Sequence, residues 1–232
     1  MFKKNDKILV IAAHPDDEVI GCGGTILKAI NEGAKVSVLF LGEGVSTRFP
    51  NHEKSKECLK AIKFRETSAT NCLKILGIKD YVFNHHLCTK FDTYPIIDFV
   101  RLIEKKIKIF KPNIVFTHND SEVNIDHIIA NRATEIACRP LINNTVKSVY
   151  TFEAVCSGNF KFEKKFNPNL YIDIKKYFKK KIIALKCYRD EIKVYPFPRS
   201  IQGVEIQAKY RGLQSGLEYS EAFKIERKII QS

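Results

Sequence analysis

No stretch of this 232-residue sequence approaches the roughly 20 consecutive apolar residues that a membrane-spanning helix needs. A secretory leader is not expected either: Lys3 and Lys4 precede the apolar run ILVIAA, but that run is short and ends in His-Pro-Asp-Asp. No CxxC pair occurs among the seven cysteines at 22, 58, 72, 88, 138, 156 and 187, and their odd number leaves at least one unpaired. This usage predicts reduced thiols acting as small apolar residues rather than a disulfide frame or a zinc knuckle. These absences together predict a cytoplasmic protein. No RNA- or DNA-binding motif accompanies the charge excess of +13, so no nucleic-acid partner is expected, and a Lys-rich solvated surface is the simpler reading. The excess still favours small anionic partners, and Lys175, Lys176, Lys179, Lys180 and Lys181 form the one patch suited to a phosphate or a membrane surface.

What is present fits a folded protein: 44% hydrophobic and 28% charged residues exclude disorder. The length predicts one domain over 1–232, with a core of about 1–150 and a C-terminal elaboration of about 151–232. KILVIAA and KVSVLFL read as strands buried on both faces, with DYVFN and NIVFTH as further strands. Helices are expected over 25–32, 51–76, 96–110 and 127–137, the last beginning near Asp126 as N-cap, with Gly33 and Gly77 as stops. Alternation of strand and helix predicts an α/β, Rossmann-like, mostly parallel doubly wound sheet. In the tail, strands are expected over 149–155 and 170–174, and helices over 175–192 and 201–215.

In such a sheet the loops at the C-terminal strand ends gather on one edge, where ligands bind. That edge collects His14, Asp16 and Asp17 after the first strand, Glu43, Ser46, Thr47 and Arg48 after the second, and His118, Asn119, Asp120, Asn124, Asp126 and His127 after the fourth. Three adjacent acids at Asp16, Asp17 and Glu18 repel one another, which calls for a positive charge among them. His14 and Asp17, with His127 across the crevice, make two imidazoles and one carboxylate, an open set suited to Zn²⁺ and also to Fe²⁺. Zinc lowers the pKa of its water to about 7, and Asp16 is then the free carboxylate that can take the proton. GCGG lacks the order of a dinucleotide-binding loop and instead predicts close backbone packing.

AAHPDDEVIGCGGTI resembles the signature segment of the PIG-L/LmbE-like N-deacetylases, and PNIVFTHNDSEVNIDHIIA resembles their second motif. RETSATNCLKILGI, PFPRS and AKYRGLQSGLEYSEAF are similar to further segments of the family, so the likeness runs from about residue 7 to 226. The resemblance implies hydrolysis of an N-acetyl group from an amino sugar, often an N-acetylglucosamine conjugate. It assigns His14, Asp17 and His127 as metal ligands, Asp16 as base, and Asp126 as a partner that orients His127 or caps its helix. Many members carry a histidine where this chain has Asn124, which can donate to an oxyanion but cannot protonate an amine. Asp16 performing both proton transfers is the preferred resolution; help from His118, or an altered activity, are the others.

Arg48, Asp92, His118 and Arg199 are the candidate substrate contacts. Asp92 binds a sugar hydroxyl or caps the helix that follows it. Arg65 reads as a surface or salt-bridge residue, and His85 and His86 as loop residues. Tyr195, Arg199 and Ser200 lie on a proline-broken loop that can close over the crevice. The tail resemblance and the basic balance point to a nucleotide-linked or otherwise phosphorylated amino sugar, with homo-oligomerisation left open. Two alternatives stand beside this: amide hydrolysis on another sugar or a thiol-sugar conjugate, and a binding protein that has lost turnover.

Overall fold

The computed structural model of the chain describes residues 2–142 and 144–230. Its strands are β1 (Lys7–Ala12), β2 (Lys35–Gly42), β3 (Asp80–His86), β4 (Ile114–His118), β5 (Ser148–Phe152), β6 (Leu170–Asp173) and β7 (Ser220–Lys228). Its helices are α1 (Asp17–Asn31), α2 (Lys56–Leu76), α3 (Ile96–Phe110), α4 (Ile125–Ala137), α5 (Lys175–Leu185) and α6 (Ile201–Leu213). The strands form one sheet in the order β3-β2-β1-β4-β5-β7-β6, parallel from β3 to β5. This is the mostly parallel, helix-flanked α/β sheet that the alternation predicts.

β1 shows why its run is continuously apolar. Ile8, Val10 and Ala12 join the core under α1, α2, α5 and α6, while Leu9, Ile11 and Ala13 join the core under α3 and α4. Both alternating sets must therefore be apolar. β1 lies between β2 and β4, so the chain changes direction across the sheet at the ends of β1 and β4, where a crevice opens. α2 starts on Ser55, which accepts from the Cys58 amide (3.2 Å), and stops on Gly77 at φ 86°, a left-handed cap.

The tail departs from expectation. β7 was not anticipated, yet it pairs antiparallel with both β5 and β6 and joins the tail to the sheet. Its outer half, Lys224 to Lys228, is largely charged and hides the strand pattern. α5 ends at Leu185 rather than 192.

α1 also begins eight residues earlier than its apolar spacing suggests, so that the acidic motif forms its first turn. Acids are favoured there by the helix dipole. The helix breaks at Cys22 (φ −147°, ψ 22°). The orphaned groups at the break are taken up by a buried ion pair: Lys181 Nζ donates to the Ile20 carbonyl (2.8 Å), and Glu221 accepts from the amides of Gly24 (2.8 Å) and Thr25 (2.7 Å). Lys181 is therefore not part of the basic face, on which Lys175, Lys176, Lys179 and Lys180 remain exposed.

The glycines of GCGG serve close packing, but inside the helix rather than before it. A Cβ on Gly21 would lie 2.3 Å from the Phe152 ring, and one on Gly24 would lie 2.8 Å from Ile174. Gly21→Ala should cost about 1–3 kcal/mol through overpacking, read as a lower urea midpoint with an unchanged slope.

Candidate active site

β1 delivers His14 and Asp17 to the crevice through a tight turn. Pro15 restricts the path, and Asp16 is held at φ 127°, ψ −27°, a conformation that a non-glycine residue adopts only when its surroundings impose it. The His14 amide donates to Asp17 Oδ2 (2.8 Å), and Glu18 accepts from the Asp16 amide (3.0 Å). Glu18 is fully buried and also accepts from the Tyr188 hydroxyl (2.7 Å), which fixes the turn from behind.

The three candidate ligands converge. His14 Nδ1 lies 3.7 Å from Asp17 Oδ2, and His127 Nε2 lies 3.5 Å from Asp17 Oδ1. Ligand atoms on a tetrahedral zinc, each at about 2.0–2.2 Å, stand roughly 3.3–3.6 Å apart, so this donor set fits a divalent metal. One ligand atom from each of the three lies within 4.8 Å of the others, and all three residues are buried.

Each histidine is oriented by a carboxylate on its other nitrogen. His14 Nε2–H donates to Asp126 Oδ2 (2.8 Å), leaving Nδ1 toward the site. His127 Nδ1–H donates to Glu122, leaving Nε2 toward it. Such partners fix tautomer and ring orientation at metal sites. Asp126 therefore orients His14, not His127 as expected from its position in sequence, and it does not cap α4. Its oxygens also accept from the amides of Thr89 (2.6 Å) and Phe91 (3.0 Å), binding the loop after β3 to the site. The cap of α4 is Asn124, whose Oδ1 accepts from the Asp126 amide (3.0 Å). With Oδ1 so engaged, Nδ2 makes no hydrogen bond among the described residues, and Asn124 lines the cleft.

The electrostatics divide the two adjacent aspartates. Burial and the neighbouring Asp17 charge push the Asp16 carboxyl up to about 6, against the pull of Arg65 and Arg199. Burial would also raise Asp17, but the imidazoles of His127 and His118 hold it well below the usual carboxylate range. Burial opposes ionisation of Glu122 too, yet His127 and His118 hold it at about 2. Glu122→Gln should weaken metal binding about 10–100-fold, measured by competition with a chelating dye.

The cleft above these groups has a volume of about 270 Å³ and is lined by His14, Asp16, Asp17, Arg48, Asn124, His127 and Arg199, among others. Seven of the ten candidate residues are thus brought together. Two others lie behind the cleft. Asp126 is fully buried, as is His118, whose Nε2 accepts from the Ala13 amide (3.0 Å) and lies 3.3 Å from Asp17. His118 packs beside Asp17 and has no surface to offer a substrate. Asp92 is exposed on a 3-10 turn (Phe91–Thr93) outside the cleft lining, and Pro95, not Asp92, precedes α3 as its cap.

Arg65 is a salt-bridge residue, as one of its two expected roles had it, but a buried one rather than a surface one. It is 4% exposed, donates to the Pro15 carbonyl (2.7 Å) and stands 3.7 Å from Asp16. Glu191, unnoticed in the sequence, accepts from both Arg48 and Arg65. His85 and His86 end β3 instead of lying in a loop: His85 pairs with Glu66 at the surface (2.8 Å), and His86 turns inward to Phe99. A second groove of about 300 Å³, between α4 and β7, is lined in part by groups that pair with one another, such as Thr151 donating to Glu226 (2.9 Å), while the buried Nε of Arg227 there has no hydrogen-bond partner among the described residues.

Residues 9–138, more than half of the chain, match the PIG-L family, described as GlcNAc-PI de-N-acetylase. The chain belongs to the PIG-L family. A curated relative from Bacillus anthracis, a probable N-acetyl-alpha-D-glucosaminyl L-malate deacetylase, is 27% identical over 193 residues, covering 81% of this chain and 83% of that protein. Among solved structures, an N,N'-diacetylchitobiose deacetylase from Pyrococcus horikoshii matches with a TM-score of 0.74 at 21% identity, covering 96% of this chain and 84% of that one. A 4-carboxy-2-hydroxymuconate hydratase from Pseudomonas putida matches with a TM-score of 0.78 at 19% identity over 98% of both chains. These structural likenesses are likenesses of fold. The shared fold carries both a deacetylase and a hydratase, so the reaction must be argued from the side chains.

Proposed function

We propose that this PIG-L chain is a metal-dependent hydrolase that removes the N-acetyl group of an amino sugar of the N-acetylglucosamine type. One observation carries the reading: three buried ligand atoms face one point, each histidine is locked by its own carboxylate, and a fourth carboxylate, Asp16, stands beside them in a strained turn. His14 Nδ1, Asp17 and His127 Nε2 would hold zinc or iron(II). When bound, such an ion acts as a Lewis acid on the amide carbonyl and lowers the pKa of water in the site to about 7.

The chain's own groups account for the proton. Asp16 accepts one from the attacking water as the water oxygen bonds to the acetamide carbonyl carbon. The C–N bond then breaks, Asp16 returns the proton to the amine nitrogen, and acetate and a free amine leave. Asn124 Nδ2 donates to the carbonyl oxygen as negative charge grows on it. An amide has no proton to give the amine, so both transfers fall to Asp16. Arg65 and Arg199 favour its ionised form, which a base requires.

The test is release of acetate from N-acetylglucosaminyl conjugates. Chelator-treated protein should lose activity and regain it with Zn²⁺ or Fe²⁺; equal release before and after treatment would sink the reading. Asn124, in place of the histidine of many relatives, favours a second reading, binding without turnover. Metal-replete protein that binds such a conjugate and releases no acetate would support it.

A further inference from the structure

Three guanidinium groups meet one carboxylate at the edge of the cleft. Glu191 is 2% exposed, accepts from Arg48 and Arg65, and lies 3.5 Å from Arg199 Nη2. Arg199 also stands 3.6 Å from Asp16 Oδ2. Even with Asp16 ionised, Asp16 and Glu191 face three permanent positive charges, an excess of one within this cluster; Asp17 and Glu18, which also act on Asp16, are not paired with these arginines. A surplus cation on a half-enclosed surface favours an anionic ligand.

The three arginines are not equivalent. Arg65 is buried and spends its donors on Pro15 and Glu191, so it is a strut. The side chains of Arg48 and Arg199 are 41% and 27% exposed where they line the cleft, and each keeps donors free from Glu191. The Nε of Arg199 is buried and has no hydrogen-bond partner among the described residues. An unsatisfied buried donor is costly, and a guanidinium fork suits the paired oxygens of a phosphate or carboxylate.

We propose that Arg48 and Arg199, spread and held by Glu191, form a subsite for an oxyanion carried by the substrate, a phosphate or a carboxylate. The position of that anion rests on the deacetylase reading. Arg199 touches the surroundings of Asp16, the group that handles the proton of the attacking water, so the anion lies close to the amide. In a 2-acetamido sugar that places it on a neighbouring carbon: on the anomeric oxygen as a phosphate, or on the 3-oxygen as a carboxyalkyl group. Glu191 is a positioning residue, because it reaches the ligand only through the arginines.

The experiment is calorimetric binding to the intact protein of N-acetylglucosamine 1-phosphate, N-acetylmuramic acid and neutral methyl N-acetylglucosaminide, repeated on Arg48→Gln and Arg199→Gln. At least one charged sugar should bind about tenfold or more tightly than the neutral one, and each substitution should remove most of that preference. The phosphate and carboxylate arms identify which oxyanion the subsite takes. Arg48→Lys and Arg199→Lys, which keep the charge and the pairing with Glu191, should retain part of the preference and so separate lost recognition from lost folding. Equal binding of charged and neutral sugars, or a preference that survives both glutamine variants, would overturn the proposal. Acetate release measured alongside keeps the two readings apart. An arginine-dependent preference without release removes the deacetylase and leaves the subsite; release without preference does the reverse.

Discussion

Asp16→Asn is expected to lower kcat/KM for acetate release by about 10²–10⁴, the usual contribution of a positioned acid–base group, while metal content stays at the parent level. The substitution preserves shape but exchanges one accepting carboxylate oxygen for an NH2 donor, so it removes the negative charge as well as the ability to carry a proton. It suits the backbone as well, since asparagine is among the side chains that best tolerate positive φ, and Asp16 sits at φ 127°. The neighbouring charges change little enough to keep the fold, because Arg65 remains tied to Pro15 and Glu191. The contrasting variant is His127→Ala, which deletes a candidate ligand and should lose metal and turnover together. Single-turnover acetate release, with metal measured on the same samples, separates the two. A loss of only a few-fold in Asp16→Asn, with metal intact, would assign the proton transfers to another group.

The adjacency of His14, Asp16 and Asp17 made the first half of the site readable from the sequence, because one turn after one buried strand holds all three. His127 was readable because a helix start after the fourth strand has to face the same edge. Glu122 carried a weaker signal, an acid five residues before His127 in the same loop, and its role emerges only when the loop bends back to bring its carboxylate to Nδ1. Asp126 misled for the same reason: adjacency to His127 suggested a partnership, but successive residues on a helix point about 100° apart, and its carboxylate faces His14 instead. Glu191 and Arg65 had no local signal. Each is a charged residue in a polar stretch, and burial comes from tertiary packing of the tail against α2. β7 was missed similarly, since its pairing with β5 and β6 is not local and its exposed half is charged.

The break in α1 is where the same tertiary logic has the largest effect on stability. Lys181 and Glu221, 3% and 5% exposed, form an ion pair of 2.7 Å and together satisfy one carbonyl and two amides left open at Cys22. Removing one partner leaves the other as an uncompensated buried charge, so Lys181→Met or Glu221→Gln should each cost about 3–5 kcal/mol. For a chain of this length, 1 kcal/mol corresponds to about 2–4 °C in Tm, so a fall of about 6–20 °C is expected by calorimetry. Replacing both should cost less than the sum, because the stranded charge disappears, yet it should not be neutral. The Ile20 carbonyl still loses its donor, and glutamine keeps one accepting oxygen where glutamate has two, so one of the Gly24 and Thr25 amides loses its partner as well; an unsatisfied buried group costs about 1–3 kcal/mol. A double variant as stable as the parent would show that the break is satisfied in some other way. The consequence reaches the site, since the first piece of α1 carries Asp17 and ends where Lys181 holds it. If the break supports the site, the single variants should lose metal affinity along with Tm; a fall in Tm with affinity unchanged would confine the pair to holding the tail on the sheet.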